Sequence, residues 1–295
     1  MDFSISHPMQ LGTFTLQNPV CLAAAPWQLA DGLGYERLGA IFTRTVTMEP
    51  RPGSYEEGIW QIADQTLLNA TNMRTESAEI LVQEHLPGLR RFGVPVLVSI
   101  TATGIPGFRK IARFMAREVG DQIAGIEVYI SSQDTAAGAD LNAKFVRDAT
   151  QAVRNEMGSK AAIVVKLPPW PEHIRGLALG AQEGGATALA ATNLIRALHL
   201  PDDATAPPVA GGFSGDALRP IAMRCVWELA HDERIKLPVL GTGGVFTSGH
   251  VTDYLRCGAT AVQVASGEWL EPGSSARLAA ECAHLQPEIV AAWKS

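Results

Sequence analysis

The sequence predicts an α/β fold, a (β/α)8 TIM barrel whose ligand lies at the carboxyl ends of the strands. Eight short apolar runs recur along the 295-residue chain. Each has the length of a strand and is too continuous for a half-exposed antiparallel strand. Amphipathic stretches separate most of the runs, and the last two runs end in glycine-rich turns. This alternation is typical of a parallel α/β fold, and such turns are typical of a phosphate site at a barrel mouth.

The eight runs are rich in Val, Ile and Ala, which favours burial of each strand on both faces. The predicted strands are Val20–Ala24, Ala40–Val46, Pro95–Thr101, Gly125–Ile130, Ala162–Leu167, Ala186–Thr192, Pro238–Gly241 and Ala259–Ala265. Between the third and fourth runs, Phe108, Ile111 and Met115 recur at offsets of three and four residues, which predicts one buried helical face.

The chain is longer than the ~250 residues typical of one barrel, so we expect a single domain over residues 1–295 that carries loop excursions. Two stretches stand out, Met48–Asn69 and Leu198–Gly215, which are rich in Pro and Gly. Both follow predicted strands, so both are expected to overhang the mouth. The tail Glu271–Ser295 is predicted to contain the closing helix, with Leu278 and Cys282 on its buried face.

Charge and composition exclude several functional classes. The net charge is −6 and the 24 basic residues are scattered, so no nucleic-acid surface is expected. The amino terminus lacks a basic segment and Pro26 interrupts its first apolar run, so we expect neither a signal peptide nor a membrane anchor, and a cytoplasmic protein. The four cysteines and seven histidines have no ligand spacing, so no metal site is expected.

Two features at the predicted mouth point to a phosphorylated ligand. The turns Gly241-Thr242-Gly243-Gly244 and Ala265-Ser266-Gly267 suit a phosphate, but barrels that bind FMN and barrels that bind sugar phosphates share such turns. Lys166 lies within an apolar run, so its charge needs an anionic partner. These residues alone leave two classes open: an FMN enzyme, or a flavin-free lyase or isomerase that uses Lys166 as an amine nucleophile.

Short motifs that follow one another along the chain narrow the choice. They are Leu16-Gln17-Asn18-Pro19-Val20, Ala23-Ala24-Ala25-Pro26, Thr43-Arg44-Thr45-Val46-Thr47-Met48-Glu49-Pro50-Arg51-Pro52-Gly53, Leu68-Asn69-Ala70, Val165-Lys166-Leu167, Thr192-Asn193, Gly211-Gly212-Phe213-Ser214-Gly215 with Arg219-Pro220, and Gly243-Gly244. Each motif is short, but the ordered set is specific. The chain resembles the dihydroorotate dehydrogenases of the soluble class.

The resemblance implies FMN as the cofactor and a homodimer as the assembly. A separate electron-transfer subunit is a possible further partner, since this chain has no cluster ligands of its own. The implied cofactor-binding residues are Ala24, Ala25, Thr45, Lys166, Asn193, Gly215, Gly243, Gly244, Ser266 and Gly267.

The departures from the family pattern lie around the expected substrate. Arg44 stands at the lysine of the family's Thr-Lys-Thr motif. The family's active-site loop reads Asn-x-Ser-Cys-Pro-Asn, whereas this chain has Tyr129-Ile130-Ser131-Ser132-Gln133-Asp134. Two asparagines that grip the pyrimidine in that family are thus replaced, by Tyr129 and Asp134, while those matching Asn69 and Asn193 remain.

These changes predict a rebuilt substrate pocket. Asparagine offers both a donor and an acceptor, whereas an ionised aspartate only accepts. An unpaired buried group costs ~1–3 kcal/mol, so losing two partners would discriminate against orotate. We therefore expect a small anionic substrate other than dihydroorotate. In it the enzyme would interconvert a saturated and an unsaturated C–C bond next to a carbonyl. The candidate substrate-binding residues are Arg44, Asn69, Asn72, Arg74, Asp134 and Asn193.

Ser132 and Tyr129 are the candidate catalytic residues. Ser132 occupies the position of the family's cysteine base, and a weakly basic hydroxyl needs a relay that Tyr129 or Asp134 can supply. In the reverse direction either residue would donate the proton. Two further alternatives remain at this stage: a genuine dihydroorotate dehydrogenase with an unusual loop, and a non-catalytic FMN-binding partner of another subunit.

Overall fold

A computed structural model describes residues 9–11, 14–24, 31–53, 58–71, 74–130, 141–203, 205–283 and 285. Its strands, in chain order, are β1 Met9–Leu11, β2 Phe14–Leu16, β3 Val20–Leu22, β4 Ile41–Phe42, β5 Val46–Thr47, β6 Ile59–Ala63, β7 Thr66–Asn69, β8 Glu76–Ser77, β9 Val96–Ile100, β10 Gly125–Tyr129, β11 Ala162–Leu167, β12 Ala188–Ala191, β13 Ile195–His199, β14 Val209–Gly215, β15 Val239–Thr242 and β16 Ala261–Val264.

Eight of these strands close into a parallel barrel. Their order around the barrel is β3, β4, β9, β10, β11, β12, β15, β16 and back to β3. Each predicted run supplies one barrel strand, and the run Ala162–Leu167 matches β11 end to end. The run Ala40–Val46 differs, because it contains β4 and the start of β5 with three residues outside any strand between them. The predicted fold class is confirmed.

Helices pack around the outside of the barrel. Within the described residues they are α1 Ala78–Ile80, α2 Leu86–Arg90, α3 Gly104–Val119, α4 Ala143–Met157, α5 Ile174–Glu183, α6 Arg219–Ala230, α7 Ser248–Arg256, α8 Ser266–Leu270 and α9 Ser274–Glu281. A π-helical turn, Leu81–His85, joins α1 to α2, and short 3-10 turns span Tyr35–Arg37 and Asp216–Leu218. No helix in this part of the chain has the length and apolar character needed to cross a bilayer.

Burial on the helices follows the predicted periodicity. In α3, Phe108, Ile111 and Met115 are fully buried against the barrel. In α4, the side chain of Asn142 accepts a hydrogen bond from the Phe145 amide and caps the amino terminus. In α9, Leu278 is buried as predicted. The closing helix is shorter than the predicted tail, and residues 286–295 lie outside the described residues.

The interior of the barrel divides into an apolar lower part and a polar upper part. The hairpin of β1 and β2 contributes Leu11 and Leu16 to an apolar cluster with Leu97 and Val164. Because side chains alternate along a strand, the next interior position of β9 is Ser99, and that of β11 is Lys166. The polar part therefore lies towards the carboxyl ends of the strands, where the mouth opens.

Both predicted excursions contribute to one additional sheet. The hairpin of β6 and β7 comes from the first excursion, and the hairpin of β13 and β14 spans most of the second. The two hairpins pair through β7 and β14, which run antiparallel with Asn69 opposite Gly212. Leu68 and Val209 form a small separate core of this sheet. Two loops that are distant in sequence thus share one structural unit.

Two glycines in α5 allow a matched test of packing. A Cβ on Gly180 would overlap the carbonyl oxygen of Ala143 in α4, whereas a Cβ on Gly176, one turn earlier, would meet no atom within 4 Å. We expect Gly180→Ala to lower the free energy of unfolding by roughly 1–3 kcal/mol. Gly176→Ala should raise it by about 0.5–1 kcal/mol because alanine favours the helix. Urea denaturation measures both, and equal effects would contradict the described packing of α4 against α5.

Candidate active site

A buried pair of opposite charges lies in the polar part of the barrel. Glu127 on β10 is fully buried and Lys166 on β11 is 4% exposed. The Lys166 Nζ is 4.0 Å from Glu127 Oε1. The outward neighbours of Glu127, Ile126 and Val128, pack into the core between barrel and helices, so strand alternation directs the carboxylate inward. The pair therefore arises from two adjacent strands of the sheet.

Hydrogen bonds link this carboxylate to strands on both sides. The Ser99 hydroxyl on β9 donates to Glu127 Oε1 at 2.9 Å, and Thr45 Oγ1 lies 2.9 Å from the Ser99 hydroxyl. On the other side, Gln263 Nε2 on β16 donates to Glu127 Oε2 at 3.0 Å, and Thr242 donates to Gln263 Oε1 at 2.8 Å. Both carboxylate oxygens are thus hydrogen-bonded, and Glu127 links β9 to β16 through the barrel interior.

Lys166 keeps donor capacity that the described residues do not use. An ammonium carries three donors, yet its recorded partner in the described part of the chain is the Glu127 oxygen at 4.0 Å. The hydroxyl of Thr101, buried just after β9, has no hydrogen-bond partner among the described residues. Buried polar groups are normally paired. This end of the barrel therefore has the donors to bind a polar or anionic group.

Three glycine-rich turns meet on the other side of the mouth. A Cβ on Gly244 would lie 2.8 Å from the carbonyl oxygen of Gly215, and one on Gly267 would lie 2.8 Å from that of Val245. The hydroxyl of Ser266 donates to that of Ser214 at 3.1 Å. Gly244 also has a φ of 66°, so any other residue would be strained. The turns form one cradle whose shape depends on the absence of side chains.

Side chains behind the cradle hold its backbone in place. The Tyr254 hydroxyl in α7 donates to the carbonyl oxygen of Gly243 at 2.6 Å, and burial raises the pKa of this phenol. His250 Nδ1 lies 3.0 Å from the carbonyl oxygen of Gly244. Arg219 donates to Asp216 at 2.8 Å beneath the turn that follows Gly215. Residues of α6 and α7 thus fix the position of the cradle.

The structure brings part of the predicted substrate set to the mouth. Asn69 ends β7, and its Oδ1 accepts hydrogen bonds from the amide and hydroxyl of Thr71. Asn193 follows β12, and its Oδ1 accepts from the Leu194 amide. Neither Nδ2 has a recorded partner among the described residues. Both amides therefore retain donors for a ligand.

Arg44 and Arg74 differ in their surroundings. Arg44 Nη1 is 3.5 Å from Glu76 Oε1, while His85 Nε2 is 2.9 Å from the other oxygen of Glu76. Arg74 is exposed, and its amide donates to the Thr71 carbonyl oxygen. Arg44 thus belongs to a half-exposed charged cluster, and a substrate-binding role for either arginine stays a prediction.

Several predicted site residues have limited or no structural description. Tyr129 is half-buried at the end of β10 and stands in register with Lys166 on β11. Ala24 is half-buried after β3, at the mouth. The other predicted positions, Ala25, Asn72, Ser132 and Asp134, lie outside the described residues. Their roles stay predictions.

Sequence reasoning missed three buried members of the polar network. They are Ser99, Glu127 and Gln263, each fully buried on a barrel strand. The signal was available, because each is a polar residue inside an apolar run, as Lys166 is. Within the described residues, no cluster of three or more His, Cys, Asp or Glu is arranged to hold a metal ion.

Comparison with known proteins agrees with this geometry. The family model described as dihydroorotate dehydrogenase matches residues 9–284. The chain belongs to the dihydroorotate dehydrogenase family. Its relatives include the "Dihydroorotate dehydrogenase B (NAD(+)), catalytic subunit" of Desulforudis audaxviator, 32% identical over 94% of this chain and 91% of the relative. The protein of the same name from Endomicrobium trichonymphae is 31% identical over 88% of this chain and 85% of the relative. That from Maridesulfovibrio salexigens is 31% identical over 95% of this chain and 92% of the relative.

Membership of the dihydroorotate dehydrogenase family makes this chain an oxidoreductase that acts on CH–CH groups. The family generally binds FMN. The site fits that cofactor on two observations: the cradle at Gly244 has no room for a side chain, and among the described residues the Lys166 ammonium is left with unused donors, 4.0 Å from Glu127. Membership of an oxidoreductase family disfavours the flavin-free lyase and the non-catalytic partner.

Three of the four cysteines are buried thiols that are unsuited to catalysis. Burial raises the pKa of Cys21, Cys225 and Cys282 to about 12. We therefore expect these thiols to resist Ellman's reagent at pH 8 in the native protein, whereas urea should expose all four cysteines of the chain. Rapid modification of a buried thiol with loss of activity would contradict this assignment.

The same burial predicts a loss of stability in alkali. The folded thiols stay neutral, while those of the unfolded chain ionise near pH ~8.5. Their contribution to the free energy of unfolding is fully present below that pH and declines as the pH rises towards about 12. Urea midpoints measured from pH 7 to pH 10 should fall above pH 9. Flat midpoints would argue against burial of these thiols.

Proposed function

We propose that this chain is the FMN-dependent catalytic subunit of a dihydroorotate dehydrogenase. The observation that carries the proposal is the buried Lys166 with unused donors, facing the cradle of glycine turns across one mouth. The names of the relatives support dihydroorotate itself over the different substrate that the sequence departures suggest. Asn69 and Asn193, with Nδ2 donors available, are suited to the amide groups of such a ring.

The cofactor-binding roles follow from the chemistry of the side chains. The turns at Gly215, Gly243–Gly244 and Ser266–Gly267 would bind the phosphate through backbone amides. Thr45 and Lys166 would hold the polar edge of the ring, with Lys166 balancing negative charge there. FMN, when bound, accepts the hydride that leaves the substrate. Ala24 and Ala25 are small enough to permit close approach of the ring.

Oxidation of the substrate also releases a proton, which a side chain of the protein must accept. Ser132 would accept it at Oγ, with Tyr129 as relay or hydrogen-bond partner. Tyr129 is half-buried and stands in register with Lys166 on the adjacent strand. In this proposal the hydroxyl of Ser132 stands where the family pattern has a cysteine, and that of Tyr129 stands where it has an asparagine.

We further propose that the electrons leave through a second protein. The relatives are named as catalytic subunits of an NAD(+)-dependent enzyme, which supports an electron-transfer subunit as partner. The resemblance also supports a homodimer of this chain.

A second candidate substrate is a different small anion with an oxidisable C–C bond beside a carbonyl. Tyr129 supports it, because it replaces an asparagine of the family's pyrimidine site with a bulkier side chain that presents a single hydroxyl. Arg44 supports it too, since its guanidinium can bind a carboxylate where the family has lysine. The exposed fraction of Arg44, 40%, leaves its charge accessible beside Glu76.

One spectroscopic experiment separates these proposals. Protein purified or reconstituted with FMN should absorb near ~450 nm, and dihydroorotate added without oxygen should bleach that band. Unbleached flavin would exclude dihydroorotate and favour the second candidate. Failure to bind FMN at all would overturn the proposed function.

Paired substitutions at Tyr129 test its role. Tyr129→Phe removes only the hydroxyl, so we expect kcat to fall by about 10²–10⁴-fold if the relay operates. Tyr129→Asn restores the side chain of the family pattern. It should lower KM for dihydroorotate if the tyrosine narrows substrate choice. Steady-state turnover gives both constants, and an unchanged kcat in Tyr129→Phe would exclude the relay.

A further inference from the structure

We propose that Glu127 is a positioning residue that holds the Lys166 ammonium in place and sets the charge around the bound cofactor. This inference rests on the proposed function, because it concerns the residue assigned to the flavin. No part of the sequence resemblance assigned a role to Glu127. Its carboxylate is 0% exposed in the centre of the barrel.

The geometry is that of a fixed anchor. Ser99 donates to one carboxylate oxygen from β9 at 2.9 Å and Gln263 donates to the other from β16 at 3.0 Å. Strands on two sides thus determine the orientation of the Glu127 carboxylate before any ligand binds. Lys166 Nζ then lies 4.0 Å from Oε1, too far for a good hydrogen bond but close enough for strong attraction. The lysine is drawn towards Glu127, while its protons remain available.

Energetic considerations support an ionised carboxylate rather than an amide at this position. A buried ionised group is costly unless it is paired and hydrogen-bonded. Glu127 has two donors and one cation around it, and a glutamine would present an NH2 group where one oxygen now accepts. The donors to Glu127 are themselves ordered, Ser99 by Thr45 and Gln263 by Thr242. Side chains of β9, β15 and β16, together with Thr45 between β4 and β5, therefore hold one negative charge beside Lys166.

The functional consequence concerns the balance of charge. Lys166 alone would present a full positive charge to the ring, which would stabilise the reduced, more negative flavin. Glu127 offsets part of that charge, so the pair lowers the reduction potential below the value that Lys166 alone would give. The titratable side chains on the strands beside Lys166 are Glu127 and Tyr129, both on β10, whereas β12 places Ala190 opposite Lys166.

The test uses the FMN-bound protein and the variants Glu127→Gln and Glu127→Asp. Glu127→Gln should weaken FMN binding at least tenfold and shift the midpoint potential to more positive values. Glu127→Asp, which keeps the charge, should leave the potential near that of the wild type. Glu228→Gln is the matched control, since Glu228 is a buried carboxylate paired with Arg175 and Arg224 on the outer helices. It should change neither quantity.

A second pair of variants decides whether Glu127 acts through Lys166. The potential shift caused by Glu127→Gln should be smaller in a Lys166→Met background, where the cation is absent. If Glu127→Gln destabilises the fold, urea denaturation will register this, but a structural role alone predicts neither the shift nor its dependence on Lys166. An unchanged or more negative potential with normal FMN binding would overturn this inference alone. Wild-type protein that cannot bind FMN would overturn the proposed function.

Discussion

The interior of this barrel depends on one buried carboxylate. Below it, apolar side chains and the β1–β2 hairpin close the barrel, and above it the mouth opens to ligands. Glu127 joins the polar side chains of β9 and β16 and faces the cation of β11. Burial of the Lys166 ammonium is offset by the carboxylate that lies beside it. Within the described part of the chain, this arrangement leaves donors of Lys166 unused.

The barrel could be predicted because each of its strands is buried on both faces and therefore appears as an apolar run. The run Ala40–Val46 predicted its strand less accurately, because the chain leaves the sheet between β4 and β5. There the hydroxyl of Thr43 accepts a hydrogen bond from the Ser99 amide. The additional sheet was beyond prediction. Its central pairing joins Thr66–Asn69 to Val209–Gly215, and nothing local in either segment specifies so distant a partner.

The site was predicted in part, for a similar physical reason. Lys166 was found because a charge inside an apolar run needs a partner, and the glycine turns were found because backbone must approach a phosphate. The identity of that partner required the structure, since Glu127 lies on a neighbouring strand. The motifs that follow one another along the chain were enough to predict the family. Side chains that differ from the family pattern, such as Arg44, left the substrate undetermined. The ion pair of Arg44 with Glu76 could not be predicted, because the two residues are far apart along the chain.

The sheet shared by the two excursions has an evolutionary consequence. Each excursion supplies a hairpin whose inner strand, β7 or β14, is hydrogen-bonded to that of the other. Loss of one hairpin would leave a row of backbone amides and carbonyls of the other excursion's inner strand unsatisfied beside the mouth. Changes in the two excursions are therefore expected to be inherited together. A new specificity would need compatible replacements in both halves of the gene.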